Sequence, residues 1–315
     1  MLRSKGNYRG SALISALFIM TLVAIAATAM STRLQLDIYR TRLSIASDKL
    51  YLASQAVQAW GLSEIADPNQ KFRQADASGK VLNFPPKLLL IYPDIRIKGA
   101  LYDLQARYNL NNVADKNFQI SFQEFLKNTE KKLEQPQRIM LAAVLHNWLS
   151  PYQPGQDAMN NLSYYLKQKP PYYPAQQLMQ NASEFRLLRG VNAKLYRNLE
   201  NHFIALPEQT PININTASKP VLMSLGFGLN EEQVNELIEA RGKKGLSDFA
   251  KITPLLQKLN IRSELLTIES QYFMSVATIS SDDLNLTSYT ILKRIKDNNG
   301  KVKVSLINQS MNVFE

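Results

Sequence analysis

The residues best suited to chemistry are few. The chain holds two histidines, His146 and His202, and no cysteine. That excludes thiolate nucleophiles, disulfide staples, thiolate-bound zinc and iron–sulfur clusters. The histidine count rules out a three-histidine metal site, and a histidine-dependent triad is not expected. His146 falls on the apolar face of a helical pattern and reads as a satisfied core residue. No Gly-rich phosphate loop, paired catalytic carboxylates or nucleophile elbow occurs. The chain is therefore expected to be no enzyme and to need no cofactor. What remains is charge. The 37 Lys and Arg against 26 Asp and Glu give a net +11, which suits nucleic acid or an anionic membrane as a partner. The best phosphate candidate is residues 211–260, with the turn Gly226-Phe227-Gly228 and the pair Lys243-Lys244. This segment carries six basic and five acidic residues, too near neutrality for a phosphate-binding face.

The elements that must carry these residues begin with an unusual N-terminus. At 315 residues the chain exceeds the size at which one core keeps growing, so more than one domain is expected. Residues 11–32 hold no charged side chain and are long enough to span a bilayer as a helix. Arg3, Lys5 and Arg9 precede them without an acid, which leaves the leader in the cytoplasm and the bulk of the chain across the membrane. A cleavable secretory signal would be cut after the apolar stretch, at Ala27 to Ala29. The alternative cut lies before it, between Gly10 and Ser11. The residues beyond the span favour the second. Tyr39, Leu43, Ala46, Leu50, Ala53, Val57 and Trp60 are spaced by alternating fours and threes, one apolar stripe on a helix. No Pro or Gly occurs from residue 11 to 60 to interrupt it. The prediction is one helix, apolar all round in its first half, which can pack on neighbours, and amphipathic in its second, which docks on the chain's own head.

Arg9-Gly10 before such a helix resembles the leader of type IV pilins and type II secretion pseudopilins. The resemblance implies that a prepilin peptidase cuts after Gly10 and methylates the new N-terminus, Ser11. Most members of that family carry Glu five residues into the mature chain, where this sequence has Ser15. A buried carboxylate is costly unless paired, and in the family that Glu neutralises the N-terminal ammonium of the subunit above. A subunit with nothing above it needs no such Glu, and its lack resembles the K-type minor pseudopilin, the proposed tip of the pseudopilus. The resemblance implies an inner-membrane, single-pass protein with its bulk in the periplasm. It implies assembly with I- and J-type minor pseudopilins through the helix stripe (Tyr39, Leu43, Leu50, Val57), contact with secreted substrates, and no nucleic acid.

Beyond the stripe, residues 67–80 read as a loop, and Val81 to Ile91 (split by Pro85-Pro86) and Ile95 to Ala106 as short strands. Residues 100–113 resemble the K-type pattern of a strand running into an Asn-Leu-Asn turn. Residues 118–149 read as helical, 150–183 as a long loop with its tyrosines packed beneath it, and 184–206 as two short helices parted near Gly190. Tyr272 to Ile279, Thr290 to Lys296 and Lys301 to Ile307 have strand composition, with a hairpin turn at Asn298-Asn299-Gly300. The expected fold is α+β. A leader (1–10) and a span (11–32) precede a small pseudopilin α/β domain with antiparallel strands, in two parts (33–106 and 268–315). A helical insertion (107–267) interrupts it. Within the insertion, residues 211–255 resemble a helix-hairpin-helix module, with a helix starting at Ile214-Asn215-Thr216-Ala217 and a second over Glu231 to Arg241. That module supports the alternative reading, a membrane-anchored DNA-binding protein of a competence or pilus system. K-type subunits also often bind calcium in the insertion. The matching residues here are Asn147 and Ser150, then Gly155, Gln156 and Asp157, with Glu184 as a further acid. Calcium takes six to eight oxygens, and two of the carboxylates expected in that pattern are replaced by Asn147 and Ser150, so poor affinity is expected.

Overall fold

The computed structural model describes residues 9–87, 94–151, 162–281, 284–297 and 299–311, with side chains from Ala12 onward. Its first element, α1, is a single helix of 58 residues, Arg9–Ala66, about 87 Å long at 1.5 Å per residue. It stops just before Asp67-Pro68, because proline disfavours helical backbone at the residue before it. From Ala12 to Lys49 the side chains are exposed, except that Leu43 and Ala46 are half-buried. From Leu50 the stripe turns inward: Leu50, Ala53, Val57, Trp60 and Ile65 are buried. Burying one such large apolar side chain stabilises the fold by roughly 1.5–3 kcal/mol.

They pack on a five-stranded sheet, entirely antiparallel, in the order β1 (Lys80–Asn83), β2 (Arg96–Asp103), β7 (Tyr272–Ser280), β8 (Asn285–Lys296) and β9 (Val302–Met311). Two glycines let helix and sheet close. A Cβ on Gly99 would stand 2.7 Å from Phe84 Cβ and 2.8 Å from Val57 Cγ1, and one on Gly61 would stand 3.0 Å from Ser275 Oγ. The loop after α1 is held by Arg294, whose Nη2 donates to Asp67 O at 3.0 Å and Gln70 O at 3.1 Å. β1 ends before Pro85-Pro86, which have no N–H to offer a ladder. β2 ends at Asp103, not Ala106, because the Asp103 carboxylate accepts the Gln105 N–H and turns Leu104–Ala106 into a 3-10 helix. β8 starts at Asn285, earlier than composition indicated, since pairing with β7 carries the strand through Thr287 and Ser288. Between β8 and β9, Gly300 takes φ +80° and Asp297 accepts the N–H groups of Asn299 and Lys301. Asn298 lies outside the described residues.

The segment between β2 and β7 has its own core, from Tyr108 to Leu266, distinct from the core under α1. It comprises two successive units, each closed by a short parallel pair. In the first, β3 (Tyr108–Asn109) pairs with β4 (Phe203–Ile204). The predicted helical stretch is two helices, α2 (Gln119–Thr129) and α3 (Gln135–Leu149). The break precedes Pro136, which sits in the first turn of α3, where its missing N–H costs nothing. The predicted loop 150–183 contains a short helix, α4 (Leu162–Leu166). Tyr165 is buried against Trp148, with ring centroids 5.6 Å apart; Tyr173 is exposed. α5 (Ala193–Leu199) completes the unit. In the second unit, β5 (Ile212–Asn213) pairs with β6 (Leu266–Thr267) around α6 (Lys219–Leu222), α7 (Glu231–Arg241) and α8 (Thr253–Lys258).

Candidate functional site

Two places concentrate what this chain can do: the uncovered length of α1 and the junction of sheet and insertion. On α1, the backbone of Gly10 and Ser11 is helical; residues 1–8, most of the leader, lie outside the described residues. Ser15 is exposed on the same helix. The predicted partner stripe needs correction. Leu50 and Val57 are buried in the chain's own head, Leu43 is half-buried, and only Tyr39 is fully outward. The reason is the continuity of the stripe with Ala53 and Trp60, which the sheet claims. A second seam lies one residue earlier, about 100° round the helix at 3.6 residues per turn. Leu34, Ile38, Ile45 and Leu52 are 61%, 46%, 52% and 54% exposed. Their spacings of 4, 7 and 7 follow a seven-residue repeat, with Thr41 and Asp48 as its polar members.

The junction is polar and buried. Asp103, at the end of β2, is fully buried. Its Oδ1 accepts the Gln105 N–H at 2.8 Å. Its Oδ2 accepts from Asn213 Nδ2 at 2.8 Å, Ser270 Oγ at 2.7 Å and Thr216 Oγ1 at 2.5 Å. Burial pushes the carboxyl pKa up, and these four donors oppose the rise. One side chain of the head thus ties β5, the turn after it and the segment just before β7. The two insertion units share one device. Asn109 Oδ1 accepts the Asn111 N–H at 3.1 Å, and Asn213 Oδ1 accepts the Asn215 N–H at 3.0 Å. Asn111 Nδ2 then donates to Met179 O and Leu206 O; Asn215 Nδ2 donates to Leu246 O and Ile268 O. This corrects the expected helix at Ile214 to Ala217. The asparagines hold that backbone as a turn, and α6 starts only after Ser218.

The hairpin module is arranged against phosphate. Arg241 turns inward, its Nη1 donating to Ile214 O and Ala217 O at 3.1 Å each. Gly226 and Gly228 take φ +61° and +93°, but the Glu124 carboxylate of α2 stands where a Cβ of Gly228 would be. Lys258 pairs with Glu236 at 2.8 Å and Lys219 with Glu231 at 3.6 Å. That carboxylate, paired with Lys127 Nζ at 2.9 Å, takes the place an anion would need at this turn.

Only part of the metal pattern falls among the described residues. Asp157, with Gly155 and Gln156, lies outside the described residues. Glu184 Oε1 accepts the N–H groups of Gln180 and Asn181 at 2.7 and 3.1 Å, capping the turn it belongs to. Asn147 is half-buried beside buried Trp148 near the end of α3. Among the described residues, no three of His, Asp and Glu gather. His146 is tied by Nδ1 to Val113 O at 2.9 Å, with Ser150 Oγ 3.3 Å from Nε2.

Comparison with known proteins decides the family. The family models described as type II secretion system (T2SS), protein K match residues 106–208 and 212–271, together just over half of the chain. The chain belongs to the type II secretion system protein K family. It is a minor pseudopilin of a type II secretion system, and the DNA-anchoring alternative is not favoured. The two matched parts of protein K coincide with the two insertion units, meeting between β4 and β5. Type II secretion system protein K of Aeromonas hydrophila is 26% identical over 332 residues, covering 92% of this chain and 94% of that protein. That of Klebsiella pneumoniae is 26% identical over 310 residues, covering 91% and 92%. The Pseudomonas aeruginosa protein K is 33% identical over 142 residues, an alignment spanning 44% of this chain and 41% of that protein. Among solved structures, the crystal structure of the GspK-GspI-GspJ complex from the enterotoxigenic Escherichia coli type 2 secretion system contains a similar chain. It superimposes with a TM-score of 0.68 at 22% identity, covering 87% of this chain and all of that one, and shows the α+β protein K fold. The apolar first part of α1 fits a single-pass membrane anchor.

Proposed function

We propose that this minor pseudopilin caps the tip of the pseudopilus and helps to start its assembly. Cleavage after Gly10 by prepilin peptidase leaves Ser11 as the new N-terminus. The apolar part of α1 holds the subunit in the inner membrane, with the head in the periplasm, until it is drawn into the filament. The observation that carries this reading is the division of α1. Its lower stripe is occupied by the chain's own sheet, while the seam Leu34, Ile38, Ile45 and Leu52 is apolar, exposed and spaced for another helix. I- and J-type minor pseudopilins are the partners we assign to that seam; a complex of the similar chain with GspI and GspJ supports partners of those types. Ser15 in place of an acid fits a subunit with no ammonium above it, and the bulk of the insertion disfavours repeated stacking.

Mass spectrometry of the mature N-terminus tests the reading: a methylated chain beginning at Ser11 is expected, and cleavage near Ala29 would sink it. Ser15→Glu separates tip from body. An unpaired charge at membrane depth costs on the order of 3 kcal/mol on insertion scales. The substitution is expected to be neutral or mildly harmful to secretion, and a clear gain in assembly would assign a body position instead.

A further inference from the structure

On the face of the sheet away from α1, a cleft of about 410 Å³ lies between β7–β9 and the first insertion unit. Its floor includes Met274, Val276, Tyr289 and Ile291, the residues that alternate with Phe273, Ser275 and Ala277 on the α1 side. These floor side chains are half-buried. Arg107 and Arg186 stand on the wall, against a single acidic lining residue, Glu200. The Arg186 guanidinium carbon lies 5.1 Å from the Tyr196 ring centroid, a stacked placement that pre-orients its donors. Asn201 and Asn308 add side-chain amides, which donate and accept together as a peptide backbone requires.

The geometry points to a docking cleft for an extended acidic peptide segment of a protein awaiting export. Branched or aromatic side chains would lie on the Met274–Tyr289 floor, with a carboxylate against Arg186 and Arg107. The choice of an exported protein rests on the secretion reading above. The cleft lies on the face of the sheet opposite α1, away from the seam assigned above to neighbouring stems.

The test uses the full chain in detergent micelles and two fluorescein-labelled nonapeptides, one alternating Glu with Val and Tyr, the other with Lys at every Glu position. Fluorescence anisotropy is expected to show the acidic peptide binding, with affinity that falls as salt rises. The lysine peptide is expected to stay free. Arg186→Glu, at an exposed position, is expected to weaken binding about tenfold, as loss of one charge-assisted contact implies, with thermal unfolding unchanged. Equal binding of both peptides, or undiminished binding by Arg186→Glu, overturns the proposal. In cells, Arg186→Glu is expected to lower export while cysteine cross-linking between stems through positions 38 and 45 persists. Unchanged export overturns the cleft's role. Absence of those cross-links in the unsubstituted chain overturns the assembly reading instead, so the two failures are distinct.

Discussion

Asp103→Ala should loosen the insertion from the head. The carboxylate accepts four hydrogen bonds, from Gln105 N–H, Asn213 Nδ2, Ser270 Oγ and Thr216 Oγ1, in a site with no water access. Removing it leaves three donors without an acceptor. Asn213 Nδ2 donates to Ser270 Oγ at 2.8 Å, a bond that survives but uses its other N–H, and the Thr216 hydroxyl can turn to Asn213 O, 3.5 Å away. The Gln105 N–H, one Asn213 N–H and the Ser270 hydroxyl are left, at roughly 1–3 kcal/mol for each buried unsatisfied group. The expected loss is therefore about 3–9 kcal/mol, a large share of the ~5–15 kcal/mol that holds a typical domain. Asp103→Asn is expected to cost less, because its oxygen keeps the Gln105 bond and both hydroxyls can rotate to accept, leaving one donor–donor conflict with Asn213. The assay is urea unfolding of the full chain in detergent, followed by circular dichroism, with limited proteolysis to register release of residues 104–271. The sign of the pH effect is also fixed. Burial raises the folded pKa above the unfolded value, so the ionised carboxyl opposes folding. That penalty grows as pH rises from the unfolded pKa through the folded one, and Asp103→Asn should flatten this part of the profile. An alanine variant less than ~1 kcal/mol weaker, or an asparagine variant weaker than alanine, would refute the reasoning.

Gly99→Ala should destabilise the α1–sheet contact by about 1–3 kcal/mol, since its Cβ meets Phe84 and Val57 inside van der Waals contact; unchanged thermal unfolding would contradict the close approach. Glu208 is held low chiefly by its hydrogen bond from Lys293, with a second from Tyr272. Its contribution is present above the unfolded carboxyl pKa and lost as pH falls through the folded one. At about half exposure it amounts to roughly 0.2–1 kcal/mol, and Glu208→Gln should remove that increment from a pH series of unfolding midpoints. Ile38→Glu with Ile45→Glu should abolish pseudopilus assembly, read by cross-linking, while leaving head unfolding unaltered; intact assembly would move the partner seam elsewhere.

The sequence carried α1 almost whole, because a long run without Pro or Gly and a regular stripe leave one local solution. The docking of its second half on the chain's own head was legible as well, but the assignment of Leu50 and Val57 to partners was not correct. Periodicity shows that a face is apolar, not which surface covers it, and both residues are buried in the head core with Leu101 and Phe273, distant along the chain. Asp103 was illegible for the same reason: it is one polar residue in a strand, and three of its four donors come from beyond residue 210. The Asn-Leu-Asn turn at Asn109 was visible, but its recurrence at Asn213-Ile214-Asn215 read as a helix start. An asparagine two residues after another, at the end of a short apolar strand, was the signal that both are Asx turns.

The register of β2 and β7 places Asp103 opposite Phe273, so the insertion leaves and rejoins the sheet at adjacent rungs. Tension applied along α1 passes through Leu50, Val57 and Trp60 into β2, β7 and β8 and returns through the same ladder. It never has to travel through the insertion, which hangs from the frame as a side load. The stem can therefore bear an axial load without straining the inserted domain. That domain is free to change shape and surface while the mechanical frame stays the same.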